Sequence, residues 1–124
     1  MKRMITTLAL SLCIAAMLVG CNSSKIKKAN TLYEVGNYKA AAEIYAELGD
    51  KEMYAKSLYE AGEYIAAAEV YAELGDRKMQ AEILYEAGKY ADALKIFQEL
   101  NNLSRVNDCL IEMRKALNNI IPVN

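Results

Sequence analysis

The sequence predicts an all-α fold, an α-solenoid of three stacked helical hairpins closed by a C-terminal capping helix. Three observations predict it. The phrases LYEVGNY, LYEAGEY and LYEAGKY begin at Leu32, Leu58 and Leu84, a constant spacing of 26 residues. A strict period of that length marks stacked repeats, because one such unit cannot bury its apolar face alone. Within each period, apolar residues fall at helical spacing on both sides of a glycine, and one more apolar helical stripe follows the last period.

The first element is a leader over residues 1–20. Lys2 and Arg3 give a short positive start, and residues 4–19 are apolar apart from Thr6, Thr7 and Ser11. A permanent span needs about 20 apolar residues, so this run is short for one. It ends in Leu18-Val19-Gly20-Cys21, which resembles the bacterial lipobox. That resemblance implies signal cleavage between Gly20 and Cys21 and a diacylglycerol group on the Cys21 sulfur. An uncleaved anchor helix is the alternative. Two or more acyl chains hold a protein stably on a bilayer, whereas one binds reversibly. The chain is then a lipoprotein of a bacterial cell envelope. It sits on the extracytoplasmic side of the cell membrane or of an outer membrane, with the membrane as its partner through Cys21.

Residues 21–25 read as the lipidated cysteine and a short linker, and residues 26–124 as the repeat domain. The stretch 22–28, if extended, reaches about 25 Å. Its Lys25, Lys27 and Lys28 either touch anionic headgroups or form the solvated start of the first helix. Cys13 falls in the leader and Cys21 carries lipid, so Cys109 is a lone thiol with no disulfide open to it. It falls in register with Thr31, Ser57 and Ile83, which points to core packing.

The repeats cover about residues 26–50, 51–76 and 77–102. In the central copy Tyr54, Leu58 and Ala61 share one helical face. Gly62 supplies the left-handed residue that ends that helix. Tyr64, Ala67, Tyr71 and Leu74 then form a second stripe. Gly75 stops the second helix, and Asp76 suits the N-cap of the next. Gly36 and Gly88 match Gly62, and the Gly49-Asp50 and Gly75-Asp76 pairs become Asn101-Asn102 in the last copy. Asparagine tolerates the left-handed region and caps helices, so the turn survives. Helices of about 11 residues are marginal alone, so stacking must stabilise them.

The pattern G-x-Y-x-x-A-x-x-x-Y/F-x-x-L resembles the second half of a tetratricopeptide repeat. Ala29, Ala55 and Ala81, each three before Leu32, Leu58 or Leu84, sit where that family places its small packing residue. The resemblance implies a right-handed solenoid whose first helices line a concave groove for a protein or peptide partner. The repeats here are eight residues shorter than the family's 34, which implies a narrower, shallower groove.

Residues 104–118 form the expected capping helix. Val106, Leu110, Met113 and Leu117 would cover the third hairpin, and Arg105, Asp108, Glu112 and Lys115 would face water. Three aromatic ladders run along the repeats. Tyr33, Tyr59 and Tyr85, each followed by Glu34, Glu60 or Glu86, form the candidate groove strip, suited to a partner with aliphatic and basic side chains. The competing reading packs these tyrosines between hairpins and leaves the glutamates solvated. Tyr38, Tyr64 and Tyr90 are assigned to the core, as are Tyr45, Tyr71 and Phe97. The runs 40–42 and 66–68 let helices approach closely, while Glu43, Glu69 and Lys95 mark an outward position.

Composition excludes several functions. With Lys2 and Arg3 set aside, 13 basic residues face 16 acidic ones, the wrong balance for nucleic acid. Histidine is absent, which removes the commonest general base and metal ligand. No phosphate-binding glycine loop and no nucleophile–base set is present. The reading is therefore a non-enzyme without cofactor or metal, a membrane-anchored scaffold for a protein partner. Its competitor is a structural envelope lipoprotein that self-associates, stacking its uncapped N-terminal end on a neighbour.

Overall fold

The computed structural model describes residues 20–121. Most of the leader, with Leu18 and Val19 of the lipobox, lies outside the described residues, as does Pro122. Among the described residues the chain is all-α. A helix over residues 20–34 (α1) is followed by α2 (Tyr38–Leu48), α3 (Lys51–Glu60), α4 (Tyr64–Glu73), α5 (Arg77–Glu86), α6 (Tyr90–Glu99) and α7 (Leu103–Ile120). Helices pack on their chain neighbours, from α2 on α3 through α6 on α7, and α1 shares an apolar cluster with α2. Three hairpins, α1–α2, α3–α4 and α5–α6, thus stack in order and α7 closes the array.

One turn design recurs at every connection. Gly36, Gly49, Gly62, Gly75 and Gly88 all have positive φ, and Asn101 takes the same region at φ 54°. At Gly62 the Glu63 N–H donates to the Leu58 carbonyl (2.9 Å) and the Gly62 N–H to the Tyr59 carbonyl (2.9 Å). This is the Schellman pairing, which satisfies carbonyls the helix end would orphan. Equivalent pairs close the other five turns. The turns between hairpins carry an added cap. Asp50, Asp76 and Asn102 accept from the backbone N–H of Met53 (3.1 Å), Met79 (3.0 Å) and Arg105 (3.2 Å), contacts worth about 1 kcal/mol each. The Asn101-Asn102 pair therefore replaces Gly-Asp in both of its roles.

The core is a series of three small clusters, one per hairpin. Ala29 and Ala41 share one, Ala55 and Ala67 the next, and Ala81 and Ala93 the third, all fully buried. Alanine at these crossings brings the two helices of a hairpin close enough for Tyr45, Tyr71 or Phe97 to fill the remaining space. Those three rings are buried, as the ladder predicts.

Three expectations need correction. Residues 22–28 are helical, not an extended linker; at 1.5 Å per residue they span only about 10 Å. Lys25, Lys27 and Lys28 are exposed on the start of this first helix, the second of the two readings given for them, and Lys25 pairs with Glu47 (2.9 Å) of its own hairpin. The Tyr38, Tyr64 and Tyr90 ladder is partly exposed, with Tyr64 at 36%, because the first residue of each second helix projects past the crossing. Finally, α7 runs Leu103–Ile120 and is rotated from the predicted face. Leu110 and Leu117 are 47% and 62% exposed, while Cys109 is fully buried and Arg105 turns inward.

Cys109 packs in the last cluster with Ala93, Ile96 and Phe97, in keeping with the register argument. Burial pushes its thiol pKa up, which disfavours the reactive thiolate. The same register position in the second hairpin holds Ser57, fully buried with its Oγ unpartnered. A desolvated hydroxyl without a partner costs about 1–3 kcal/mol. Ser57→Ala removes that penalty and improves helix propensity. It should stabilise the chain by about 1 kcal/mol, raising Tm by roughly 4–8 °C for a domain of this size. Thermal unfolding followed at 222 nm checks this, and a lower Tm would mean the hydroxyl is satisfied in solution.

Candidate protein-interaction surface

The sequence-predicted strip is assembled by α1, α3 and α5. Tyr33, Tyr59 and Tyr85 stand at equivalent positions near the ends of these helices and are half-buried, each against its hairpin's cluster. Each ring meets the tyrosine that opens the following helix edge-on. The centroids of Tyr33–Tyr38, Tyr59–Tyr64 and Tyr85–Tyr90 lie 5.2, 5.5 and 5.2 Å apart. Such pairs contribute about 0.5–1.5 kcal/mol beyond their buried area. The tyrosine at the start of each second helix thus serves as a brace for its hairpin turn.

Glu34, Glu60 and Glu86 are exposed, but they are not all idle. The Tyr59 hydroxyl donates to the Glu86 carboxylate of the next hairpin at 2.6 Å. That hydrogen bond, with burial and the carboxylate's charge, pushes the Tyr59 pKa up to about 12. Tyr33 and Tyr85 are also raised, chiefly by burial and then by Glu60 and Glu112 respectively. Each tyrosine therefore senses a carboxylate 27 positions on, one period plus one residue. The three rings are engaged with their hairpins, and at Tyr59 the hydroxyl is also taken up by the next hairpin.

Arg105 ends this ladder. It occupies the register of Met53 and Met79, pairs with Glu82 and Asp108, and lies 4.1 Å from the Tyr85 ring centroid and 5.3 Å from that of Phe97. A half-buried guanidinium over two rings gains from their quadrupoles, so α7 is pinned to α5 as well as packed on α6.

The concave features lie elsewhere, along the second helices. Two adjoining depressions of about 350 and 590 Å³ run between α2 and α4 over α3. Ala46, Ala66 and Tyr54 line both, and Glu43, Glu47, Glu69 and Glu73 stand on the rim. Glu47 and Glu73 are held by Lys25 and by Lys51 (2.7 Å), and Arg77–Glu99 repeats that pair in the third hairpin. Glu43 and Glu69 make no ion pair among the described residues. The next furrow, between α4 and α6, is about 360 Å³; Glu69, Asp92 and Glu99 border it too, but its floor holds Ile65 and Ile96 and its edge adds Lys95 and Arg77. The alanines make the first furrow an apolar slot whose edges carry an excess of carboxylates over Lys51 and Lys39, the latter paired with Glu63 (2.9 Å). Sequence reasoning marked the alanine runs as structural and Glu43 and Glu69 as outward; the signal it lacked was that both sets border one surface.

Gly20 and Cys21 are exposed in the first described turn of α1. No group of three or more cysteine, aspartate or glutamate side chains able to hold a metal ion occurs among the described residues. No described helix is long and apolar enough to cross a membrane. No protein-family model, curated protein or solved structure matches this chain.

The pKa shift gives the ladder a pH signature. Tyr59 binds its proton more tightly folded than unfolded, so its contribution is complete below about pH 10, the ordinary tyrosine value. It is lost as pH rises from there through about 12. Absorbance at 295 nm should show one tyrosine ionising near pH 12 that is missing from Tyr59→Phe, and that variant should lose less stability across the same interval. A Tyr59 that titrates near 10 would mean the Glu86 bond does not persist in solution.

Proposed function

We propose that this chain is a lipid-anchored scaffold. In this reading a tetratricopeptide-like stack is tethered by acylated Cys21 to the extracytoplasmic face of a bacterial envelope membrane, where it holds a protein partner. The lipobox resemblance of Leu18-Val19-Gly20-Cys21 carries the anchor, and an exposed Cys21 is compatible with acylation. The observation that carries the scaffold role is the acid-rimmed alanine furrow between α2 and α4. Its apolar floor and the unpaired Glu43 and Glu69 suit a segment bearing small or aliphatic side chains beside lysine or arginine. The Tyr59–Glu86 bond argues for the furrow over the tyrosine strip, because a partner there would have to displace a contact the chain already makes.

Two measurements test the proposal. Cys21→Ser should abolish incorporation of a labelled fatty acid and release the chain from washed membranes; unchanged labelling would sink the anchor. Cross-linking the anchored chain in its own membrane should give a heteromeric adduct that Glu43→Lys with Glu69→Lys reduces at least tenfold. Loss through Glu60→Lys with Glu86→Lys instead would move the contact to the tyrosine strip. Failure to form any heteromeric adduct would remove the scaffold role.

A further inference from the structure

Helix α7 stands in the register of a first helix, yet among the described residues no second helix packs on it. In the three hairpins Ala29, Ala55 and Ala81 are fully buried, and Leu32, Leu58 and Leu84 pack half-buried beside them. One period on, that row becomes Asn107 and Leu110, both exposed. The exposed face continues with Leu103 at 75%, Leu117 at 62%, Ile120 at 78% and Ile121 at 62%. This is the reverse of the polar outer face that ends a soluble repeat array.

The spacing on this face is regular. Leu103, Leu110 and Leu117 recur every seven residues, and Val106, Met113 and Ile120 stand three after each. Alternation by three and four is the seam of a coiled coil, whose apolar positions average 3.5 residues apart. Val106 is partly covered because it borders the Cys109 cluster, whereas the leucine row is left open.

We propose that α7 pairs with α7 of a second copy of this chain through the leucine row. The occupant follows from three observations. A heptad seam fits another heptad seam, because each apolar knob needs a hole formed at the same 3.5-residue interval. Asn107 stands where alanine admits a close-packed second helix of the α2, α4 or α6 kind, and such a helix would bury its amide. A coiled-coil partner centred on the leucines leaves Asn107 wet on the flank. Arg114 is the one charge flanking the seam, so the two faces meet with little like-charge opposition. The pairing is independent of the anchor and of the furrow.

The full chain carrying Leu110→Cys tests this by disulfide cross-linking in its own membrane under mild oxidation. The expected product migrates at twice the chain mass, with a yield at least tenfold above that of Lys115→Cys, on the side of α7 away from the leucine row, and above the background of the unsubstituted chain. Adding Leu103→Glu and Leu117→Glu should remove it, with helicity by circular dichroism unchanged because both leucines are already exposed. Equal yields at positions 110 and 115 would overturn the pairing. So would a position-110 adduct of any other mass, which would give this face to a different protein.

Discussion

Everything in this fold depends on one residue in each turn adopting positive φ. The five glycines from Gly36 to Gly88 and then Asn101 recur every 13 residues. The residue after each one closes the Schellman pairing of the helix before it and opens the helix that follows. Two helices are thereby joined with almost no loop, and their length is fixed near ten residues. Helices this short are marginal alone, so stability is transferred to the crossings. The buried alanines are a consequence of the turn, because a connection this tight forces close approach and alanine is what fits.

That arrangement treats the ends of the array differently from its middle. Each inner first helix is covered by its own second helix and by the preceding hairpin. Thr31, in the register of buried Ser57, Ile83 and Cys109, is exposed because no hairpin precedes it among the described residues. At the other end Cys109 is covered while Leu110, one residue further round, is not. Arg105 holds α7 by ion pairs and ring contacts at the register position where Met53 packs half-buried on the first cluster and Met79 is 37% exposed. A charged anchor over aromatic rings substitutes for the apolar contact that a full hairpin would supply.

The turns were legible in the sequence because their chemistry is local: glycine or asparagine for the left-handed residue, aspartate or asparagine for the cap. The buried ring ladder was legible because it repeats with the period. Faces covered from two sides were harder to read. Helical spacing in α3 picks out Tyr54 and Leu58, which are half-buried, whereas the fully buried Ala55 and Ser57 lie between the two contact directions. The Tyr59–Glu86 bond joins residues one period plus one apart and has no signature within a single helix. The same holds for the Lys25–Glu47 and Lys51–Glu73 pairs, which cross their own hairpins. For α7, the stripe Val106, Leu110, Met113 and Leu117 is apolar in truth, but periodicity cannot say which side of an apolar arc meets the chain and which is left open.

A helix that reaches back to residue 20 also changes what an anchor at Cys21 would do. Extended, the stretch 22–28 would let the stack swing about 25 Å from its lipid; as helix it spans about 10 Å and transmits the direction of α1. The first hairpins would then be held near the bilayer at an angle set by α1. The α2–α4 furrow belongs to those hairpins, whereas the leucine row of α7 lies at the far end of the stack. On the proposed reading, anchoring, partner capture and pairing use three separate parts of one array. Pairing at α7 would bring two anchors and two furrows together without covering either. Two copies on four or more acyl chains would gain in retention through effective concentration while each keeps its own acidic slot.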